Sequence, residues 1–209
     1  MSPFRIAVLA SGTGTNLQAI IDRLHGREGI EVACVLSNNP GATALDRARR
    51  VGVETAVFRR EDHPDRAARD AAMADFLDER GIDLVVLAGY MELLSAEFVC
   101  RFRNRIVNVH PALLPSFPGL DPIGRALEHG VAVTGVTVHF VDEGVDSGPI
   151  IMQRAIDVPY TRDRSQLEKE IHRVEHELLP RTILLIAQGA VRLDADNRRL
   201  VHVDDRRGV

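Results

Sequence analysis

An asparagine and a histidine two residues apart close an otherwise apolar run, Ile106-Val107-Asn108-Val109-His110, and a proline-rich loop follows. Side chains alternate faces along a strand, so Asn108 and His110 share one face while Val107 and Val109 take the other. An amide can donate a hydrogen bond. An imidazole can donate when protonated or act as a base when neutral. A carboxylate, Asp146, sits in the glycine-flanked stretch DEGVDSG of residues 142–148. Held near His110, it would stabilise the imidazolium form. Asn108 would then complete a donor pair for a developing oxyanion. Such a constellation suits acyl or formyl transfer to an amine. No serine–histidine pair or reactive cysteine motif points to a covalent intermediate. A rival reading adds His139, which shares a strand face with Thr137 and Val141. His110, His139 and Asp146 could then form a two-histidine, one-carboxylate metal site. No H-x-E or HExxH pattern accompanies them, which favours no metal, with His139 and Thr137 as supporting groups.

A second candidate is Ala10–Asn16, ASGTGTN. Its glycines let backbone N–H groups approach a ligand, and a following helix N-terminus favours an anion. Leu17 occupies the third glycine position of the dinucleotide fingerprint, and no Gly-Lys-Ser/Thr follows, so neither that motif nor a P-loop fits. A site for one phosphate is the sharper expectation. A tight turn with Thr15 or Asn16 capping the helix is the alternative. On this reading Gly14→Val should obstruct the phosphate.

These residues need a frame. Apolar or β-branched runs at Arg5–Ala10, Ile30–Leu36, Glu54–Phe58, Leu84–Ala88 and Ile106–His110 alternate with helical patterns at Asn16–Leu24, Ala42–Val51, Pro64–Arg80 and around Ser95–Arg101. The alternation predicts an α/β fold: an open, mostly parallel, Rossmann-like wound sheet. Ligands bind beyond the carboxyl ends of such strands. The later chain differs. A short helix near Ile123–His129 precedes strands Val133–Val141 and Pro149–Ala155, an antiparallel addition in the C-terminal half. A long helix from about Arg164 to Gln188 follows, and the tail alternates around Asp194–Asn197 as a hairpin does. The expected organisation is one domain over 1–209, with a phosphate-binding half to about 100, a catalytic half over about 101–190 and a tail over 191–209.

Composition bounds the function class. Apolar residues make up 45% and charged residues 27%, as in an ordinary globular protein. A net charge of −4 gives no global attraction for nucleic acid. No apolar run is long enough for a membrane span and no signal peptide is evident, so a cytoplasmic location is expected. Cys34 and Cys100 read as buried free thiols. A homodimer stays open.

The segments VLASGTGTNLQAIID, DLVVLAGYMELLS, RIVNVHPALLPSFPG and GVTVHFVDEGVDSGPIIMQ together resemble the phosphoribosylglycinamide formyltransferases of purine synthesis. The resemblance runs from about Arg5 to Leu193. It implies formyl transfer from 10-formyltetrahydrofolate to the amine of glycinamide ribonucleotide, with both small molecules as partners. It makes Asn108, His110 and Asp146 catalytic and puts the substrate phosphate at Gly12, Thr13, Gly14, Thr15 and Asn16. It puts the ribose at Glu175, which its helical setting alone would mark as a solvated position. The folate would lie against Tyr90, Met91, Leu94 and Val99, with backbone contacts from Val141 to Val145, Gly144 included. Glu92 stands where some relatives carry an arginine that can meet the folate's glutamate tail, and a carboxylate would repel that tail. Methionyl-tRNA formyltransferases usually add a C-terminal domain, and formyltetrahydrofolate hydrolases an N-terminal one. The extent of this chain therefore favours the ribonucleotide as acceptor, with hydrolysis or another amine acceptor as the alternative.

Overall fold

The computed structural model describes residues 2–161 and 163–204. Packing divides the chain into two compact units, one ending at Asn108 and one starting at Val109. The first carries β1 (Phe4–Leu9), α1 (Thr15–Leu24), β2 (Ile30–Ser37), α2 (Thr43–Arg50), β3 (Glu54–Val57), α3 (Arg66–Glu79), β4 (Leu84–Leu87), α4 (Ala96–Arg101) and the start of β5 (Ile106–His110). The second carries the end of β5, then α5 (Pro122–Glu128), β6 (Val133–Phe140), β7 (Ile150–Asp157), α6 (Arg164–Ala187), β8 (Val191–Leu193) and β9 (Val201–Val203).

Strand order in the sheet is β3-β2-β1-β4-β5-β6-β7. The pairings of β1 with β2 and β4, of β2 with β3 and of β4 with β5 are parallel, and β6 with β7 is antiparallel. The expected fold class is therefore observed. The sequence pattern shows why: all four residues of β4, Leu84 to Leu87, are buried, as a strand covered on both faces demands. Each such side chain contributes roughly 1.5–3 kcal/mol relative to exposure. In α1, Leu17, Ile20, Ile21 and Leu24 form the buried stripe expected from their spacing. β8 and β9 form the expected antiparallel hairpin. Among the described residues no helix is long and apolar enough to cross a membrane.

One expectation is corrected. Cys34 is buried, and burial pushes its thiol up to about 12. Cys100 is exposed, because α4 turns only Phe98 and Val99 inward. An apolar neighbourhood in sequence does not bury every residue of a six-residue helix.

Candidate active site

In the second unit, Asp146 lies between two imidazoles. Its Oδ2 is 3.4 Å from His110 Nδ1, and its Oδ1 is 3.7 Å from His139 Nε2. The Gly119 N–H donates to Oδ2 at 2.7 Å. The far nitrogen of each ring faces a backbone carbonyl: His110 Nε2 meets Phe117 O at 2.9 Å, and His139 Nδ1 meets Phe140 O at 2.8 Å. A neutral imidazole has one N–H to donate. Both nitrogens of His110 face oxygen acceptors, so only the doubly protonated ring can donate to both. Burial pushes the Asp146 carboxyl up, but the His139 and Gly119 hydrogen bonds and the charges of the two imidazoles outweigh it and hold it below the usual carboxylate range.

Local structure aims these groups. His110 ends β5 and is 5% exposed, so its ring is fixed by packing. The loop after it is tied down by Thr137 on β6, whose hydroxyl donates to Ala112 O and accepts from the Leu114 N–H. The Gln153 amide donates to Leu114 O and to the same hydroxyl. Asp146 adopts φ 50 in a loop that Asp142 closes by accepting from Gly144 N–H and Ser147 Oγ–H. The register of β6 on β7 shifts between Val138 and His139 just before that loop. Asp146 also borders a cavity of about 410 Å³ lined by Leu114, Pro118, Val145, Pro149, Ile150 and Arg199, all in the second unit. Asp121 caps α5 by accepting from the Gly124 N–H and pairs with Arg164 at 2.9 Å.

Glu175 is 4% exposed on α6, against the solvated position that its helical setting alone suggests. A buried carboxylate needs a partner. His172 Nδ1 lies 3.0 Å from its Oε2, one helical turn away. That hydrogen bond, against the cost of burial and with help from the charges of Glu175 and Glu168, raises the His172 pKa. A raised folded-state pKa gives stability that is complete below the ordinary histidine value and is lost as pH rises through the folded one. His172→Ala should therefore cost most stability below about pH 6 and least in alkali, checked by denaturant melts across pH.

In the first unit, residues 10–14 join β1 to α1. Gly14 has φ 70 and precedes a helix that no side chain caps at its N-cap and that has no acidic residue in its first turn. Neither Thr15 nor Asn16 takes the N-cap position. Arg47 on α2 braces the loop, donating to Thr13 O at 2.8 Å and to Gln18 Oε1 at 3.0 Å. No motif in the sequence marks Arg47 for this contact. Its place i+4 from Thr43 on an amphipathic helix gave no sign of that partner.

The expected folate residues fall in both units. Tyr90 and Leu94 are half-buried, Met91 is 70% exposed and Val99 is buried. In the second unit Val141 is half-buried while Gly144 and Val145 are exposed. Burial pushes the Tyr90 hydroxyl up to about 12, opposed by the Arg69 charge, so it stays a neutral donor. Glu92 is engaged: its Oε2 is 3.2 Å from Arg69 Nη1, and its Oε1 accepts from Asn38 Nδ2 at 3.4 Å.

His110, His139 and Asp146 do converge. Yet no group of three His, Cys, Asp or Glu among the described residues has an arrangement suited to a metal ion.

A family model described as formyl transferase matches residues 4–183. The phosphoribosylglycinamide formyltransferase of Haemophilus influenzae is 40% identical over 190 residues, which cover 90% of this chain and 90% of that protein. The trifunctional purine biosynthetic protein adenosine-3 of Drosophila melanogaster is 45% identical over 188 residues, 88% of this chain, and the chain spans only 14% of that protein's length. The crystal structure of glycinamide ribonucleotide transformylase 1 from Symbiobacterium toebii is similar with a TM-score of 0.92 at 46% identity, covering 98% of this chain and 95% of the other.

Proposed function

The chain belongs to the formyl transferase family, and we propose that it transfers a formyl group from 10-formyltetrahydrofolate to the amine of glycinamide ribonucleotide. One observation carries this reading: a carboxylate below its usual pKa, shared by two buried imidazoles, one of which ends a strand two residues after Asn108.

The acceptor amine attacks the formyl carbon. A carbon–nitrogen bond forms, and the carbonyl π electrons move to oxygen. The Asn108 amide and the His110 imidazolium stabilise that oxyanion. An ionised oxygen is a stronger acceptor than a carbonyl, so it can take the Nε2–H that Phe117 O accepts here. Asp146 holds His110 protonated and orients a water that carries the amine proton to the folate nitrogen. The carbon–nitrogen bond to folate then breaks, and the carbonyl re-forms. His139 and Gly119 fix Asp146 in that role. The uncapped start of α1, with residues Gly12 to Asn16 and the nearby Arg47 cation, supports a phosphate there. Glu175, buried and charge-assisted by His172, supports hydroxyl recognition on a ribose.

The two glycines differ as probes of the loop. A Cβ on Gly12 meets nothing within 4 Å, whereas one on Gly14 meets the Ala44 Cα and Cβ at 2.7 Å, at φ +70. Gly12→Val should therefore raise the ribonucleotide KM about tenfold to a hundredfold, the worth of one or two charge-assisted hydrogen bonds, with Tm unchanged. Gly14→Val should instead lower Tm and impair both substrates, because its side chain points into α2 and not at a ligand. Steady-state kinetics beside thermal melts checks both.

The deciding assay follows tetrahydrofolate formation from 10-formyltetrahydrofolate in metal-stripped protein, with and without glycinamide ribonucleotide. Turnover that requires the ribonucleotide upholds the transferase. Turnover without it makes the chain a hydrolase, and turnover only with added metal revives the two-histidine site.

A further inference from the structure

Residues 90–95 have no regular secondary structure, and Met91 and Leu93 are 70% and 58% exposed. No strand ladder holds this segment and its apolar burial is only partial, so its backbone groups need other partners. Three side chains supply them, all within the first unit. Ser11 Oγ accepts from the Met91 N–H at 2.8 Å. Arg69 Nη2 donates to Leu93 O at 3.4 Å. Asp70 Oδ2 accepts from the Ser95 N–H at 2.6 Å. Arg69 and Asp70 are 1% and 0% exposed, and they pair through Nε and Nη2 onto Asp70 Oδ1 at 2.9 and 2.8 Å. A fully buried ion pair on a surface helix does little for stability by itself. Beyond the pair, Arg69 Nη2 and Asp70 Oδ2 are turned to the segment, and Arg69 Nη1 lies within ion-pair range of its Glu92. Ser11 is fixed in turn, donating Oγ–H to Asn38 Oδ1 at 2.6 Å and N–H to Gly89 O at 3.0 Å. Arg69 and Asn38 also grip Glu92.

We propose that Ser11, Arg69 and Asp70 are positioning residues for the folate cosubstrate, which set the shape of residues 90–95 without touching it. This rests on the functional reading above, in which Tyr90, Met91 and Leu94 meet the folate. Ser11 is the joint, since its side chain holds Met91 while its backbone adjoins the glycine loop.

The test is steady-state kinetics of Ser11→Ala and Asp70→Asn beside the wild type, varying each substrate in turn. The KM for 10-formyltetrahydrofolate should rise about tenfold, with kcat and the ribonucleotide KM each within about threefold, the pattern of a lost positioning contact. Asp70→Asn can unfold the chain by disturbing a buried pair. Ser11→Ala leaves that pair intact and decides the matter if it does. An unchanged folate KM in Ser11→Ala, or a proportionate rise in both KM values, overturns the proposal. A wild type without ribonucleotide-dependent turnover overturns the functional reading, and this inference with it.

Discussion

Asp146→Asn should keep the fold and lower kcat by at least about a hundredfold, the scale of a lost electrostatic group at a reacting centre. The geometry gives the reason the fold should survive. An asparagine amide oxygen can still accept from the Gly119 N–H, and the φ 50 that Asp146 adopts is one that asparagine tolerates. What it cannot do is carry the charge that His110 at 3.4 Å and His139 at 3.7 Å share. With that charge gone, the imidazolium of the proposed mechanism loses its counter-charge, and the oxyanion loses that electrostatic support. Turnover and circular dichroism on one preparation check both halves. A near-normal kcat removes Asp146 from the mechanism. The same carboxylate predicts an acid limb. Its folded pKa is depressed, so its stabilisation is complete above the ordinary aspartate value and is lost as pH falls through the folded one. Below about pH 4 wild type and Asp146→Asn should melt with converging stabilities, and near neutrality the wild type should be the more stable.

Asn108→Ala should lower kcat by about 10²- to 10³-fold while the KM values for both substrates stay within a few-fold. A donor aimed at charge that appears only in the transition state acts on kcat and not on binding. Asn108 sits on β5 two residues before His110 and is half-buried, whereas Val107 and Val109 on the other face are buried. Truncation there leaves the core packing of the strand untouched, so Tm should move little. Asn108→Asp is the sharper variant: it keeps the volume, replaces the amide donor with a carboxylate and sets a negative charge beside the oxyanion. Its kcat should fall below that of Asn108→Ala. A large rise in KM with an unchanged kcat would instead make Asn108 a ground-state binding group.

The two tests differ in where their rationale was visible. The sequence by itself determined the alternation of strands and helices, the shared face of Asn108 and His110, and the glycine turn before α1. All of these are periodicities or residue types read within about one element, where backbone geometry dictates orientation. It also placed Asp146 in a loop and, through the family resemblance, with His110, but it did not specify the atoms between them or the other partners. Only the tertiary structure decided which atoms Asp146 meets, because Gly119 lies 27 residues away and no local pattern specifies that distance. The same holds for Ser11 and Met91, 80 residues apart. It holds for Glu175, whose charge marks it as a surface residue until packing buries it beside His172. Gly12 and Gly14 look equivalent in ASGTGTN. They part only when α2 packs against the loop and leaves Ala44 where a Gly14 side chain would stand. Spacing within an element is set by covalent geometry and is written in the chain. Proximity between elements is set by how the core closes, and in this protein the partners of its charged groups were settled there.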